Sequence, residues 1–415
     1  MDLDQRHSHK GDRFEVKKFR LATYFDDNWD SYVQSPGEYI QPEQYRAVSA
    51  IRSCRTEALG VDHYVCSECG EISKVYHSCK NRFCPTCSWK DTVDWASRIE
   101  EQMLELSHRH VVFTIPHKLN GLIKANKGSL LSILFQTTAE SIKDWMIHKY
   151  QLTPGIISVL HTFGEKKDFH THIHMIVSWG GVTGEHQIRE IKGEYVNYEF
   201  IQTKFRCKFE DKLIRLYDSQ TMDHDFRDRL EFMRYIKDIN EKQWHVQFEP
   251  AMKLPAEVIR YIGRYSKRAC ISEYKITNIE GAYISFKYKD YKNLDYQGKP
   301  IIKELTLHYN DFFPRLLQHV PLPYFRLVRY YGAYAARTKS MLRQEKIDRV
   351  REEESVDSDV EMTLYQIPEN PKICRICNIE KTYMYTVFKD KQGTQIYMSR
   401  FQPKKIDDKP KPHAA

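Results

Sequence analysis

No run of the 415 residues approaches the roughly 18 consecutive apolar positions of a membrane span. The opening MDLDQRHSHK likewise lacks the apolar core of a signal peptide, so membrane and secretory readings are set aside and a cytoplasmic location is the default. No internal repeat is visible, so a stacked-repeat architecture is not expected. Acidic residues are outnumbered, 56 Asp+Glu against 64 Lys+Arg, which leaves a net charge of +8 in a chain with 27 Tyr and 20 Phe. That balance favours a nucleic-acid partner. A hydrophobic content of 41% over this length supports two or three domains with real cores, hence a globular protein.

The ten cysteines are clustered rather than scattered. Cys54, Cys66, Cys69, Cys79, Cys84 and Cys87 fall within 34 residues, and Cys374 with Cys377 form a second group. In a cytosolic chain that pattern points to zinc rather than disulfides. Cys66-x2-Cys69 and Cys84-x2-Cys87 are chelating pairs 14 residues apart, close to the spacing of a zinc ribbon, and are expected to gather four thiolates around one structural ion. Cys79, Cys54, His63 and His77 lie close by and would suffice, with these, for a second ion; one ion is the reading adopted. A closed four-thiolate site leaves no open position for catalysis. Lys80 and Arg82 beside the knuckle could contact phosphate or form a solvated face. The Cys374/Cys377 pair has no second pair after it: it is half of a site completed elsewhere or a degenerate knuckle, and no metal is assigned to it.

Along the chain, residues 1–44 form a polar N-terminal arm ending in the loop SPGEYIQPEQ, ahead of a helical start at QYRAVSAIRSC. Residues 45–98 are the zinc-binding domain. KDTVDWASRIEEQMLEL has helical spacing, with Val93, Ala96, Ile99 and Met103 as its apolar stripe. RHVVFTIP reads as a buried strand, and a long helix carries Leu131, Leu134, Phe135, Thr138, Ile142 and Trp145 on one face up to Pro154 and Gly155. IISVLHTF and HTHIHMIVSW form a hairpin across GEKKD. The charged, aromatic residues 183–243 read as an insertion or elaborated lobe of a domain spanning 99–345. WHVQFEPA is a further strand, LPAEVIRYIGRYSKRAC a helix with Pro255 in its first turn, and YFRLVRYYGAYAARTKSMLRQEKIDRV a basic helical segment. Residues 346–415 comprise the acidic linker REEESVDSDVE and a tail, QPKKIDDKPKPHAA, too poor in apolar residues to fold.

Two features carry chemistry. FHTHIHMIVSWGG, residues 169–181, alternates with period two, so His170, His172 and His174 project from one strand face beside His161 across the hairpin, while Ile173 and the run Met175, Ile176, Val177 point into a core. In EVIRYIGRYSKRAC, Tyr261 and Tyr265 lie one helical turn apart. At 100° per residue, Arg260, Arg264, Lys267 and Arg268 share one arc, Val258, Ile262 and Ala269 the opposite one, and the tyrosines fall between. A phenol there can be held by packing while its oxygen faces a phosphodiester, with the cations lowering the cost of the phenolate. Two histidines can hold a divalent ion that polarises a phosphate oxygen while a tyrosine attacks phosphorus.

Taken in order, CRTEALG, CSECG, SCKNRFCPTC, HVVFTIP, SVLHTFG, HTHIHMIV, YIGRYSKRACIS and RLVRYYGAYAAR, spread over about residues 45–340, resemble the rolling-circle transposases of the bacterial insertion sequence 91 type, which are HUH endonucleases. The resemblance implies an α+β fold, an antiparallel palm-like sheet with helices plus a small N-terminal zinc-ribbon-like domain. It implies that His172 and His174 bind Mg2+ or Mn2+. His161 and His170 stand as alternatives for a third ligand, with a slight preference for His161. It also implies that Tyr261 and Tyr265 take the 5′ phosphate of cleaved single-stranded DNA and leave a 3′ hydroxyl, in two successive strand transfers at the bacterial nucleoid. Arg260, Arg264, Lys267 and Arg268, with Arg326, Arg329, Arg337, Lys339 and Arg343, would track phosphates. Tyr330, Tyr331 and Tyr334 could stack bases. The competing readings are a replication-initiator or relaxase-like nickase with the same chemistry, and a zinc-ribbon DNA-binding protein with no catalysis.

Overall fold

A computed structural model of the chain describes residues 19–35, 39–100, 102–252, 269–336, 338, 370–389, 395–399 and 402–404. Helix α1 is Leu21–Val33 and α2 is Pro42–Arg52. In α1 the buried Leu21, Tyr24, Phe25, Asn28, Trp29 and Tyr32 recur every three or four residues, the spacing of one helix face. The polar arm expected over 1–44 therefore contains a packed helix, because its few apolar residues fall on one stripe. Helix α2 starts at a capping box between Gln41 and Gln44, with Pro42 in its first turn. Strands β1 (Val61–Val65) and β2 (Ile72–Tyr76) form the ribbon hairpin, and α3 (Pro85–Glu100) leaves the last cysteine knuckle.

The central layer begins with β3 (His108–Thr114), the short α4 (Asn120–Ala125) and the long α5 (Lys127–Tyr150), which stops at Gln151 in a left-handed cap. Strands β4 (Gly155–Phe163) and β5 (Phe169–Ser178) make the expected hairpin, and β6 (Gly180–Val182) and β7 (Ile188–Glu190) a smaller one. Helices α6 (Tyr198–Asp218) and α7 (Arg229–Asn240) lead to β8 (His245–Phe248). A meander of β9 (Ile276–Glu280), β10 (Tyr283–Leu294) and β11 (Pro300–His308) then runs into α8 (Tyr309–Leu317), and β12 (Val328–Gly332) returns to the central layer. After it come β13 (Thr382–Lys389), β14 (Gln395–Ser399) and β15 (Gln402–Lys404). The architecture is α+β, with antiparallel pairing in every ladder.

The central sheet has the order β12-β4-β5-β3-β8. One face is closed by α5, α6 and α7: Val111, Phe113, Ile173, Met175 and Val177 meet Leu134, Phe135, Phe205, Phe209 and Phe232 in one core. Residues 183–243, expected to be an insertion or elaborated lobe, supply part of the main core through α6 and α7. On the other face, Ile157 and Ile176 lie under Trp95, Ala96 and Ile99 of α3, together with Ala333 and Tyr334. Ile176 therefore shares the histidine face, and Met175 and Val177 point the opposite way. The segment at 328–332, expected to be helical, is the edge strand β12 paired with β4, because Val328, Tyr330 and Gly332 alternate with Arg329 and Tyr331 along the pleat.

A second core joins α1, α2 and α8 to the meander and to Cys54, Phe83, Cys84 and Cys87, with the Phe25 and Phe313 rings stacked at 5.1 Å. The third assembly is a sheet in the order β15-β14-β13-β1-β2. The C-terminal region, expected to be linker and unfolded tail, therefore contributes three strands to the N-terminal ribbon.

Candidate metal centres and DNA-contact residues

His161 sits directly opposite His172 across the β4–β5 pair, and His174 lies two residues further along the same face. One ring nitrogen from each of the three comes within 4.8 Å of the others. His170 is not in this group; its ring leans on His117 at 5.0 Å and on His172 at 5.1 Å. The rings are held from behind. His172 Nδ1 donates to the His170 carbonyl at 2.9 Å, which fixes the tautomer and leaves its Nε2 as the acceptor nitrogen. His174 Nδ1 is 2.8 Å from Nε2 of His110 on β3, a bond that engages Nδ1 rather than Nε2. This is the outer-shell arrangement that orients metal-binding imidazoles. Burial, followed by the neighbouring His161, pushes His172 and His174 well below the ordinary histidine range. They are neutral at pH 7, the form a cation requires. Three ring nitrogens within 4.8 Å of one another, two of them on rings kept neutral by burial, fit a divalent ion.

His110 was not singled out in the sequence. It is 2% exposed, and burial lowers it to about 3. The sequence showed only a histidine ahead of the apolar run VVF in this strand; the register that sets it opposite Ile176, two residues from His174, comes from the β3–β5 pairing.

The cysteines divide differently from the expectation. Cys54, Cys79, Cys84 and Cys87 form one cluster, while Cys66, Cys69, Cys374 and Cys377 form another, each with its sulfurs within 4.8 Å. Cys66 and Cys69 are therefore not brought together with Cys84 and Cys87. His63 belongs to neither cluster and stacks on Tyr385 at 4.7 Å, and His77 bonds Asp62 at 2.8 Å. In the first cluster the Cys54–Cys87 and Cys79–Cys87 sulfurs are 3.5 and 3.6 Å apart. A tetrahedron with zinc–sulfur bonds of 2.3 Å has edges of about 3.8 Å, so this spacing suits zinc and is far too long for a disulfide. Local backbone prepares the knuckle: Lys80 takes a left-handed φ of 51°, and Asn81 N–H points at the Cys79 sulfur at 3.5 Å.

Two family models match the chain. One, described as "Transposase zinc-binding domain", covers residues 24–115, and the other, described as "Putative transposase", covers residues 155–341. A protein of Sinorhizobium fredii named "Putative transposase y4qJ" is 31% identical over 302 residues, 71% of this chain and 75% of that protein. The chain is a transposase of the insertion sequence 91 type. The "Transposase for insertion sequence element IS801" of Pseudomonas savastanoi pv. phaseolicola is 29% identical over 320 residues, 74% of each chain. No solved structure matches. Membership makes this transposase a DNA-cleaving, strand-transferring enzyme with DNA as its partner, and its zinc-binding domain carries structural zinc. No described helix is long and apolar enough to cross a membrane.

Tyr261, Tyr265, Arg260, Arg264, Lys267 and Arg268 of the transposase lie outside the described residues, as do Arg337, Lys339 and Arg343. The residues flanking the tyrosine segment are anchored. Met252 exchanges backbone bonds of 2.8 and 2.9 Å with His108, and Ala269 and Cys270 line a cavity with Thr162, the neighbour of His161. Arg326 is exposed. Arg329 is committed to packing: its guanidinium stacks over Phe135 at 4.5 Å and donates to Ser132 Oγ at 3.0 Å. Tyr334, a candidate base-stacker, is 6% exposed, and its hydroxyl accepts from Leu104 N–H at 3.1 Å and meets His108 Nε2 at 2.6 Å. Tyr330 accepts from Trp95 Nε1 at 2.7 Å, which ties α3 to the edge strand, and Tyr331 packs against the main core. The aromatic run read as a stacking surface thus works largely as the joint between the sheet and its two covers, because alternate residues of a strand face opposite layers.

Proposed function

We propose that this transposase is an HUH-type endonuclease that nicks single-stranded DNA at its element's ends and rejoins it to target through a 5′-phosphotyrosine intermediate, in rolling-circle transposition. The observation that supports it most is the triangle of imidazoles, His161, His172 and His174, on one sheet face, with His172 and His174 kept neutral by burial and each held by an outer hydrogen bond. These residues would hold Mg2+ or Mn2+, and when bound that ion supplies polarisation of a phosphate oxygen. The protein's own groups do the rest. The phenol of Tyr261 or Tyr265 gives up its proton and attacks phosphorus. A phosphorus–oxygen bond to the tyrosine forms as the bond to the 3′ oxygen breaks, and that oxygen takes a proton to become a free hydroxyl. The second tyrosine repeats the step with the target strand; the free 3′ hydroxyl of one strand then attacks the phosphotyrosine of the other, and the new phosphodiester bond forms as the bond to the tyrosine breaks and its oxygen takes a proton. Arg260, Arg264, Lys267 and Arg268 would lower the cost of the phenolate and hold the backbone.

The test is incubation of the full chain with labelled single-stranded DNA from its element's ends, with Mn2+ or chelator, followed by a denaturing gel. A covalent, Mn2+-dependent adduct is expected, lost in the His172→Ala/His174→Ala variant and displaced or lost in Tyr261→Phe and Tyr265→Phe. DNA that binds without ever becoming joined to protein would favour the non-catalytic zinc-ribbon binder instead.

A further inference from the structure

We propose that Cys66, Cys69, Cys374 and Cys377 bind a second zinc ion, which clasps the C-terminal hairpin onto the N-terminal ribbon. The family-matched zinc-binding segment ends at residue 115 and does not contain the C-terminal pair. All four sulfurs lie within 4.8 Å of one another, with Cys69 and Cys374 at 3.6 Å, close to the edge of a zinc–thiolate tetrahedron, about 3.8 Å.

The backbone makes the same argument independently, because the two pairs sit in matching turns. Cys66 N–H donates to the Glu71 carbonyl at 2.9 Å, and Gly70 N–H donates back to the Cys66 carbonyl at 3.0 Å. In the other half, Cys374 N–H donates to the Ile379 carbonyl at 2.8 Å, and Asn378 N–H donates to the Cys374 carbonyl at 2.9 Å. Offsets of five and four residues recur in both. The fifth residue of each turn is left-handed, Gly70 at φ 73° and Asn378 at φ 55°, the two residue types that take this conformation at least cost. Cys377 N–H also lies 3.4 Å from the Cys374 sulfur, a donor aimed at a prospective thiolate.

Placement agrees with the local geometry. The knuckle of Cys66 follows β1 directly, and the turn of Cys374 precedes β13. These strands pair from Val65 with Thr382 to Val61 with Val387, so both knuckles meet at one end of the sheet. A tetrathiolate zinc site carries excess negative charge. Lys381 lies there with its side chain 1% exposed and its ammonium on Glu71, where it offsets the carboxylate that accepts from the Cys374 thiol at 3.0 Å and would stand beside the thiolate once zinc is bound.

The full-length, zinc-loaded chain should contain two zinc ions, counted in the His172→Ala/His174→Ala background so that metal on the histidines does not contribute. Cys374→Ser/Cys377→Ser should lower the count to one, and Cys377→His, which keeps a ligand, should retain two. Alkylation by iodoacetamide, mapped by mass spectrometry on the unsubstituted chain, needs no variant. Cys69 and Cys207 are both exposed, so burial alone predicts that both react. The clasp predicts that Cys207 reacts while Cys66, Cys69, Cys374 and Cys377 stay protected and become reactive together when zinc is removed. One zinc ion in the starting chain, two in the double-serine variant, or Cys69 reacting as fast as Cys207 would each overturn the proposal.

Discussion

Replacing His110 by Phe removes the group behind His174 and keeps most of the volume in the sheet. The bond lost is 2.8 Å long between rings stacked at 14° and 5.0 Å, in a site where His110 is 2% exposed. Loss of such an outer-shell partner weakens metal binding by about 10–100-fold, or about 1.4–2.8 kcal/mol. A calorimetric Mn2+ titration should show that loss for His110→Phe and much of it restored in His110→Gln, whose amide can reach the position of Nε2. The same residue leaves a second mark. Its folded value is about 3 because of burial, against about 6.5 unfolded, so the unfolded ring binds more protons between those limits. The stability it contributes is complete above about pH 6.5 and declines as pH falls toward 3, by about 2 kcal/mol at pH 5. At pH 5.5 the ring takes up about 0.9 proton on unfolding, so calorimetry in buffers of different ionisation enthalpy should register that much less uptake for His110→Phe. Wild-type Mn2+ affinity in a folded His110→Phe protein, or glutamine as damaging as phenylalanine, would refute the reasoning.

Acid should destabilise the whole protein for the same reason: burial lowers His108 to about 4 and His319 to about 3, so each costs about 2 kcal/mol by pH 5, and a melting temperature flat from pH 7 to 5 would contradict this. Phe205→Ala should cost about 3–5 kcal/mol in thermal or chemical unfolding, because the ring is fully buried and meets both Phe113 and Trp244 at 5.1 Å; a dispensable insertion over 183–243 would show almost no loss. Arg326→Ala should reduce the dependence of log affinity for single-stranded DNA on log salt by about 0.7, while Arg329→Ala leaves that slope alone and lowers the melting temperature. Equal slopes for all three proteins would remove Arg326 from the phosphate footprint.

The hairpin and its histidine row were legible because strand period is a local rule: once HTHIHMIV is extended, residues 172 and 174 share a face whatever surrounds them. The partners of the cysteines were not legible. A C-x2-C spacing says that two thiolates chelate together, not which other pair completes the shell, and Cys374 lies 305 residues from Cys69. Composition misled at Arg329 and Tyr334, since a basic, aromatic segment looks alike whether its rings meet bases or cover a sheet. Helix α1 was hidden by averaging: its residues are polar in bulk and apolar on one stripe. His110 stayed unnoticed because its role needs a register across two strands that sequence order does not supply.

The pairing of β13 with β1 also has a consequence for the time at which the ribbon is finished during synthesis. Thr382 follows Val65 by 317 residues, which a ribosome adds over roughly 15–60 s. A hairpin forms within about 1–10 μs, so β1 and β2 can pair long before β13 exists. Two strands alone are marginal in water, and an unpaired edge is a template for the wrong partner. Throughout that interval the nascent chain carries one side of β1 uncovered, with Cys66 and Cys69 still waiting for the thiols beside which they come to rest.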